Sequence, residues 1–107
     1  MPRFSETVPV DDYIIDVLMA DLVGHDQHPA AFLVYLYLYR HAQRSGWQQI
    51  PASLRTIAEG TGLSKSAVQT ALGRLNRRQL VASQRRHPTA TPRHKVMRHW
   101  RMNPRSG

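Results

Sequence analysis

Residues 53–81 read SLRTIAEGTGLSKSAVQTALGRLNRRQLV. The pattern predicts two helices joined by a tight turn. Ser53 is a good N-cap for the first, since its hydroxyl can accept an orphan backbone N–H. Ile57 and Ala58 form the inner face of that helix. Gly60 and Gly62 punctuate its end, where a left-handed residue is needed and glycine has no Cβ to obstruct it. Leu63 then drops into the core and Ser64 caps the second helix. Val68, Ala71, Leu72 and Leu75 recur at three- and four-residue steps, which is one face of a helix. Ala58 keeps the first helix thin where two steeply crossing helices come closest.

The succession Ala58, Gly62, Val68 has helix-turn-helix spacing. Ile57-Ala58, the turn Thr61-Gly62-Leu63-Ser64 and the later Leu72-x-x-Leu75 resemble the motif of the winged helix-turn-helix families. These include regulators of the MarR and GntR types and small winged-helix proteins of bacteria, phages and plasmids. The likeness spans roughly residues 29–101. It implies a mainly α fold with a small β wing, a winged helix-turn-helix carrying an extra N-terminal helix. It also implies that the second helix of the motif, Lys65 to Arg78, enters the major groove of double-stranded DNA.

Working outward, three regions are expected. Residues 1–28 form an irregular arm, an acidic helix from Asp11 to Leu22, and a loop from Val23 to His28 around Gly24. Asp11 or Asp12 near the helix start suits the positive end of the dipole. Residues 29–101 form the DNA-binding domain. Pro29 opens a helix to about Arg44, apolar almost all round between Phe32 and Tyr39, as a helix buried on more than one side must be. Arg44-Ser45-Gly46 ends it. Trp47 to Ile50 reads as a short strand closed by Pro51. Beyond the motif, Leu80–Arg86 and His94–Arg101 read as the two strands of a basic hairpin. Val96 and Trp100 share one face of the second strand. Residues 102–107 are expected to be a disordered basic tail. The apolar excess of residues 11–44 is expected to serve a homodimer, because helix-turn-helix proteins often pair half-sites.

Charge is divided unevenly. Through Asp26 one basic residue, Arg3, faces six acids; from Gln27 onward 14 Lys and Arg face a single acid, Glu59. The two parts carry −5 and +13 of the net +8. Such asymmetry points to a polyanion-binding part, with an acidic part held away from it.

On the wheel of the second motif helix, Lys65, Ser66, Gln69, Thr70, Gly73, Arg74 and Arg77 face outward. The resemblance places its N-terminal part in the groove. There Gln69 can pair bidentately with adenine and Lys65 can donate to guanine O6 and N7. Ser66 can read either kind of edge, and the Thr70 methyl can meet a thymine methyl. Lys65 at a positive helix end and Gly73 inside a helix both break local rules, as functional positions do. Gly73 would let the helix approach a phosphate strand, or pack closely on another helix. Backbone contacts are expected from Ser53, Arg55 and Ser64 at the helix starts. Arg74, Arg77 and Arg78, and Arg85, Arg86, Arg93, His94 and Lys95 in the wing, complete the phosphate-binding set. Phosphate contacts bring affinity and position but read no sequence directly.

Other chemistries find little support. The chain has no cysteine, so a disulfide scaffold and a cysteine zinc finger are excluded. His25 with His28, and His94 with His99, lack the further ligands a metal site wants, so no metal and no cofactor are expected. No nucleophile–base constellation or glycine-rich phosphate loop is visible, and the protein is expected not to be an enzyme. No small-molecule ligand is evident. MPRFSETVPVDD lacks the apolar run of a signal peptide, and Ala30–Tyr39 is too short to span a bilayer. A cytoplasmic protein without membrane contact is therefore expected. The functional expectation is a sequence-specific transcriptional regulator, a repressor. The alternatives are an accessory DNA-binding protein of phage or plasmid replication or partition, and a winged helix that serves as a protein-interaction module.

Overall fold

The computed structural model describes residues 6–101. The expected tail at 102–107 and the first half of the N-terminal arm lie outside them. An N-terminal helical segment is followed by α1 (Pro29–Arg44), β1 (Ile50–Pro51), α2 (Leu54–Thr61), α3 (Lys65–Arg77), β2 (Val81–Gln84), β3 (Arg93–Val96) and a short 3-10 turn, His99–Arg101. The strands form one antiparallel sheet in the order β1-β3-β2. Val81 faces Val96 and Gln84 faces Arg93 in β2–β3, while Ile50 faces His94 and Pro51 faces Arg93 in β1–β3. This is a winged helix-turn-helix with an extra N-terminal helix, as expected.

Helix α1 is the hub. The His28 ring caps it, accepting from the Ala31 N–H at 3.3 Å, and Pro29 occupies its first turn. Ala31, Phe32, Val34, Tyr35, Leu38, Tyr39 and Ala42 are buried along it. That set is wider than one stripe because α3, α2, β3 and the N-terminal segment all pack on it. Tyr35 is wholly buried, and its hydroxyl donates to the Met97 carbonyl at 2.9 Å. A buried phenol needs such a partner.

The N-terminal segment differs from the expected α-helix. Ile14–Leu18 and Ala20–His25 are π-helical, with i→i+5 bonds such as Met19 N–H to Ile14 O. It runs on through Gly24 rather than looping from Val23. Ile14, Leu18 and Leu22 are buried. Ile15, Val17, Met19 and Val23 on the same segment, and Leu33 on α1, remain exposed. Asp11 is drawn into a clasp between chain ends instead of simply facing the dipole. It accepts from Trp100 Nε1 at 2.7 Å and from Arg101 through both of its oxygens, at 2.6 and 2.8 Å. The ring of Tyr13 stacks on Trp100 with centroids 4.6 Å apart.

Two strand expectations are corrected. Trp47 is not in a strand: its φ is +67°, following Gly46 at +70°. Its ring packs edge-on against Tyr39 and lies under Arg98, 3.5 Å from the ring centroid. Those contacts turn the backbone before Ile50. Pro51 belongs to the strand, tolerated because β1 is an edge. The return strand stops at Val96, so Trp100 lies in the 3-10 turn against Tyr13 and not on the sheet face of Val96.

Candidate nucleic-acid interface

The motif is built by its caps and its turn. Ser53 Oγ accepts from Thr56 N–H at 3.1 Å, and Ser64 Oγ accepts from Ala67 N–H at 3.1 Å. Gly62 takes φ +82° and its N–H reaches the Ala58 carbonyl, closing α2. Thr61 Oγ1 donates to Ile57 O at 2.8 Å and accepts from Leu63 N–H at 3.3 Å, holding the turn. Gly60 has a different role from the one expected. It lies within α2, where a Cβ would stand 2.7 Å from Tyr37 Cζ.

Val68, Ala71, Leu72 and Leu75 are all buried, which fixes the rotation of α3. Lys65, Ser66, Gln69 and Thr70 are consequently exposed. Thr70 is exposed although its Oγ1 is turned back to donate to Ser66 O at 3.0 Å. Among the described residues only Arg77 Nη1, at 3.9 Å, comes near a Cβ built on Gly73. Close packing against another helix therefore does not explain that glycine.

The C-terminal half of α3 is engaged by the acidic segment. Asp26 has a side chain only 4 % exposed, with Arg74 Nη1 at 3.9 Å and Arg78 Nε at 3.6 Å. Arg78 also pairs with Asp21. The His25 hydrogen bond, and then the charges of Arg78 and Arg74, hold the Asp26 carboxyl below the usual carboxylate range despite its burial. Asp26 Oδ2 and Arg74 Nε have no direct hydrogen-bond partner among the described residues. The acidic part is thus not held away from the basic part, as charge distribution alone suggested. It pairs with one of the expected phosphate contacts, Arg78, and lies at the outer edge of ion-pair distance from a second, Arg74, while Arg77 stays exposed. The hint was that six acids precede residue 27; their partners could not be named without the packing.

In the wing, Arg85, Arg86, Arg93 and Lys95 are exposed, and a cleft of about 770 Å³ opens among Gln49, Gln84, Arg85, Arg86 and Arg93. Arg85 Nη1 donates to Pro88 O at 3.0 Å, bracing the loop, and Lys95 Nζ reaches Trp47 O at 3.3 Å. Gln49 and Gln84, joined at 3.3 Å, line this cleft and were not anticipated. Arg55 is exposed but pairs with Glu59 at 3.1 Å. His94 is the clear correction: it is 1 % exposed and belongs to the core, not to the surface of the wing. Strand alternation carried the signal, since His94 is two residues from the inward Val96. Burial, and next the charge of Arg85, lower its imidazole's proton affinity against the hydrogen bond to Ala52.

A family model described as a helix-turn-helix domain matches residues 28–81. The chain belongs to the helix-turn-helix domain family. The match runs from the cap of α1 through α3 to the first residue of β2, so it covers the DNA-binding motif and the hub helix. The helix-turn-helix domain family is a DNA-binding one and is typically non-enzymatic. No curated protein and no solved structure matches the chain. Among the described residues no helix is long and apolar enough to cross a membrane, and no group of three or more His, Cys, Asp or Glu is placed to hold a metal.

Proposed function

We propose that this helix-turn-helix protein binds double-stranded DNA with sequence specificity and acts as a transcriptional regulator, a repressor. The observation that carries the reading is the exposure of Lys65, Ser66, Gln69 and Thr70 on a helix whose opposite face is fully buried. Those four residues read bases in the major groove: Gln69 pairs with adenine and Lys65 donates to guanine. Ser53, Ser64, Arg55, Arg74, Arg77, Arg85, Arg86, Arg93 and Lys95 hold the phosphates, without Arg78, which pairs with Asp21 and Asp26, or the buried His94. The open space around Gly73 supports a close approach of the helix to a phosphate strand. The alternative role, an accessory part in phage or plasmid replication or partition, would use the same interface and is separated from regulation by where the bound sites lie. A cytoplasmic location goes with this reading.

The exposed Ile15, Val17, Met19, Val23 and Leu33 support a homodimer through residues 11–44. A symmetric dimer would present two α3 helices to successive major grooves and ask for an inverted repeat.

The test is selection of duplexes from a random pool by the full chain near physiological salt. Enrichment of an inverted repeat that overlaps a promoter supports the regulator. Repeated sites at a replication origin would move the role to replication or partition. Binding without enrichment would overturn specificity. No binding even at low salt would overturn DNA as the ligand, leaving the apolar N-terminal face as a protein-docking surface.

A further inference from the structure

Polar groups, partly buried at Asn76 and Ser83 and fully buried at His94, run in a line from the recognition helix to the start of α2. Asn76, on α3, donates from Nδ2 to Leu72 O at 2.8 Å and to Ser83 Oγ at 3.0 Å. Asn76 Oδ1 accepts from Ser83 N–H at 2.9 Å, on β2. Ser83 Oγ lies 2.8 Å from His94 Nδ1, on β3. His94 Nε2 lies 2.9 Å from the carbonyl of Ala52, the residue before the α2 cap.

The direction of every bond follows from the chemistry. A carbonyl can only accept, so His94 Nε2 carries the hydrogen. In the neutral ring Nδ1 is then an acceptor, and the Ser83 hydroxyl donates to it. Ser83 Oγ in turn accepts from Asn76, whose amide is oriented by the Ser83 N–H. Each member has its partner, the condition under which a buried network specifies one arrangement.

We propose that His94 is a positioning residue for DNA binding, registering the wing against α3 and the α2 start through this relay. The inference rests on the DNA-binding reading. Four segments meet in the relay, α3, β2, β3 and the start of α2, and three of them carry proposed DNA contacts. Gln69 is on α3, Ser53 follows Ala52, and Arg93 and Lys95 flank His94 on the outer face of β3. An apolar side chain at 94 would fill the core beside Val96, while leaving the Ala52 carbonyl and the Ser83 hydroxyl without this partner. Apolar packing is non-directional, however, and leaves the strand free to shift by fractions of an ångström. Hydrogen bonds to Ser83 and Ala52 remove that freedom and so aim the neighbouring cations.

The test uses the full chain and a fluorescein-labelled random-sequence duplex, followed by anisotropy across a salt series. Thermal melts identify variants that are folded at the assay temperature. His94→Leu, which breaks both links, is expected to weaken binding roughly tenfold, within the range of coupling inside one network. It should flatten the salt slope by about 2, the share of two phosphate contacts. In an Arg93→Ala/Lys95→Ala background the same change should cost less than about twofold, because the cations it aims are gone. His94→Gln, still able to donate to Ala52, should recover part of the loss. If His94→Leu does not fold, Ser83→Ala replaces it in both backgrounds. Equal losses in the two backgrounds, or a folded variant that binds like the parent, would overturn the inference. A parent chain that does not bind the duplex at low salt removes the DNA reading, and this inference with it, before any variant is compared.

Discussion

Gly60 lies against the ring of Tyr37, with room for a hydrogen and none for a methyl. A Cβ there would stand 2.7 Å from Cζ and 2.9 Å from the hydroxyl oxygen. The ring also packs on His41, with centroids 4.5 Å apart. This contact sets how closely α2 approaches α1, and so where the motif stands on the hub helix.

Gly60→Ala therefore sets two effects against each other. Alanine gains about 1 kcal/mol of helix propensity over glycine. Overpacking costs about 1–3 kcal/mol. The net expectation is destabilisation by about 1 kcal/mol in urea unfolding. In a Tyr37→Ala background the clash is absent and the same substitution should stabilise the protein. The same sign in both backgrounds would refute the contact.

Asp26 and Arg78 join the acidic segment to α3. Removing one member of a fully buried pair costs about 3–5 kcal/mol. Arg78 is 30 % exposed, so solvent screens part of this. Asp26→Ala is expected to cost about 2 kcal/mol by thermal unfolding. Surface pairing alone would leave stability within about 0.5 kcal/mol of the parent.

Base readers and phosphate holders should separate on DNA. Gln69→Ala is expected to cost roughly 1–3 kcal/mol on the selected site and to relax specificity at one position. Arg86→Ala should weaken selected and random duplexes alike and reduce the salt slope by about 1. Matching profiles for the two variants would mean that Gln69 does not enter the groove.

Stability should fall in two steps on acidification. His94 and His41 both have proton affinities lowered by burial, His41 also by Arg44 and Arg40. The unfolded chain binds their protons first, so their contribution is complete above about 6.5 and declines as pH falls below it. Asp26 is lowered chiefly by its His25 hydrogen bond, and Asp11 by its Arg101 hydrogen bond. Their contribution is complete above the ordinary carboxylate value near 3.8 and declines as pH falls further. Melting temperatures across pH check this: His94→Gln should shrink the upper step, Asp11→Asn the lower. A single step unaffected by His94→Gln would contradict the burial of a neutral imidazole.

The proposed dimer makes its own demand. Met19→Glu places a charge within the exposed apolar stretch Ile15–Val23 and should shift sedimentation equilibrium from dimer to monomer with the melting temperature little changed. A parent chain that is monomeric at every concentration would remove the dimer from the proposal.

Sequence alone determined the elements whose cause is local. Ser53 and Ser64 cap because each hydroxyl reaches an N–H three residues on, Gly62 turns because a glycine has no Cβ to oppose the left-handed cap, and Val68 to Leu75 repeat at the helical period. The outward set Lys65, Ser66, Gln69 and Thr70 follows from that same period. Tertiary structure decided whatever depends on a distant partner. Trp47 leaves the strand for Tyr39 and Arg98. Arg74 and Arg78 turn to Asp26 and Asp21, more than forty residues away. Gly60 answers to Tyr37, and Asp11 closes on Arg101. His94 spans both: strand alternation already turned it inward, but its bonds to Ser83 and Ala52 exist only once three elements have packed. A charge or a ring in a sequence has many candidate partners. Only the close-packed interior, which satisfies its buried polar groups, selects among them.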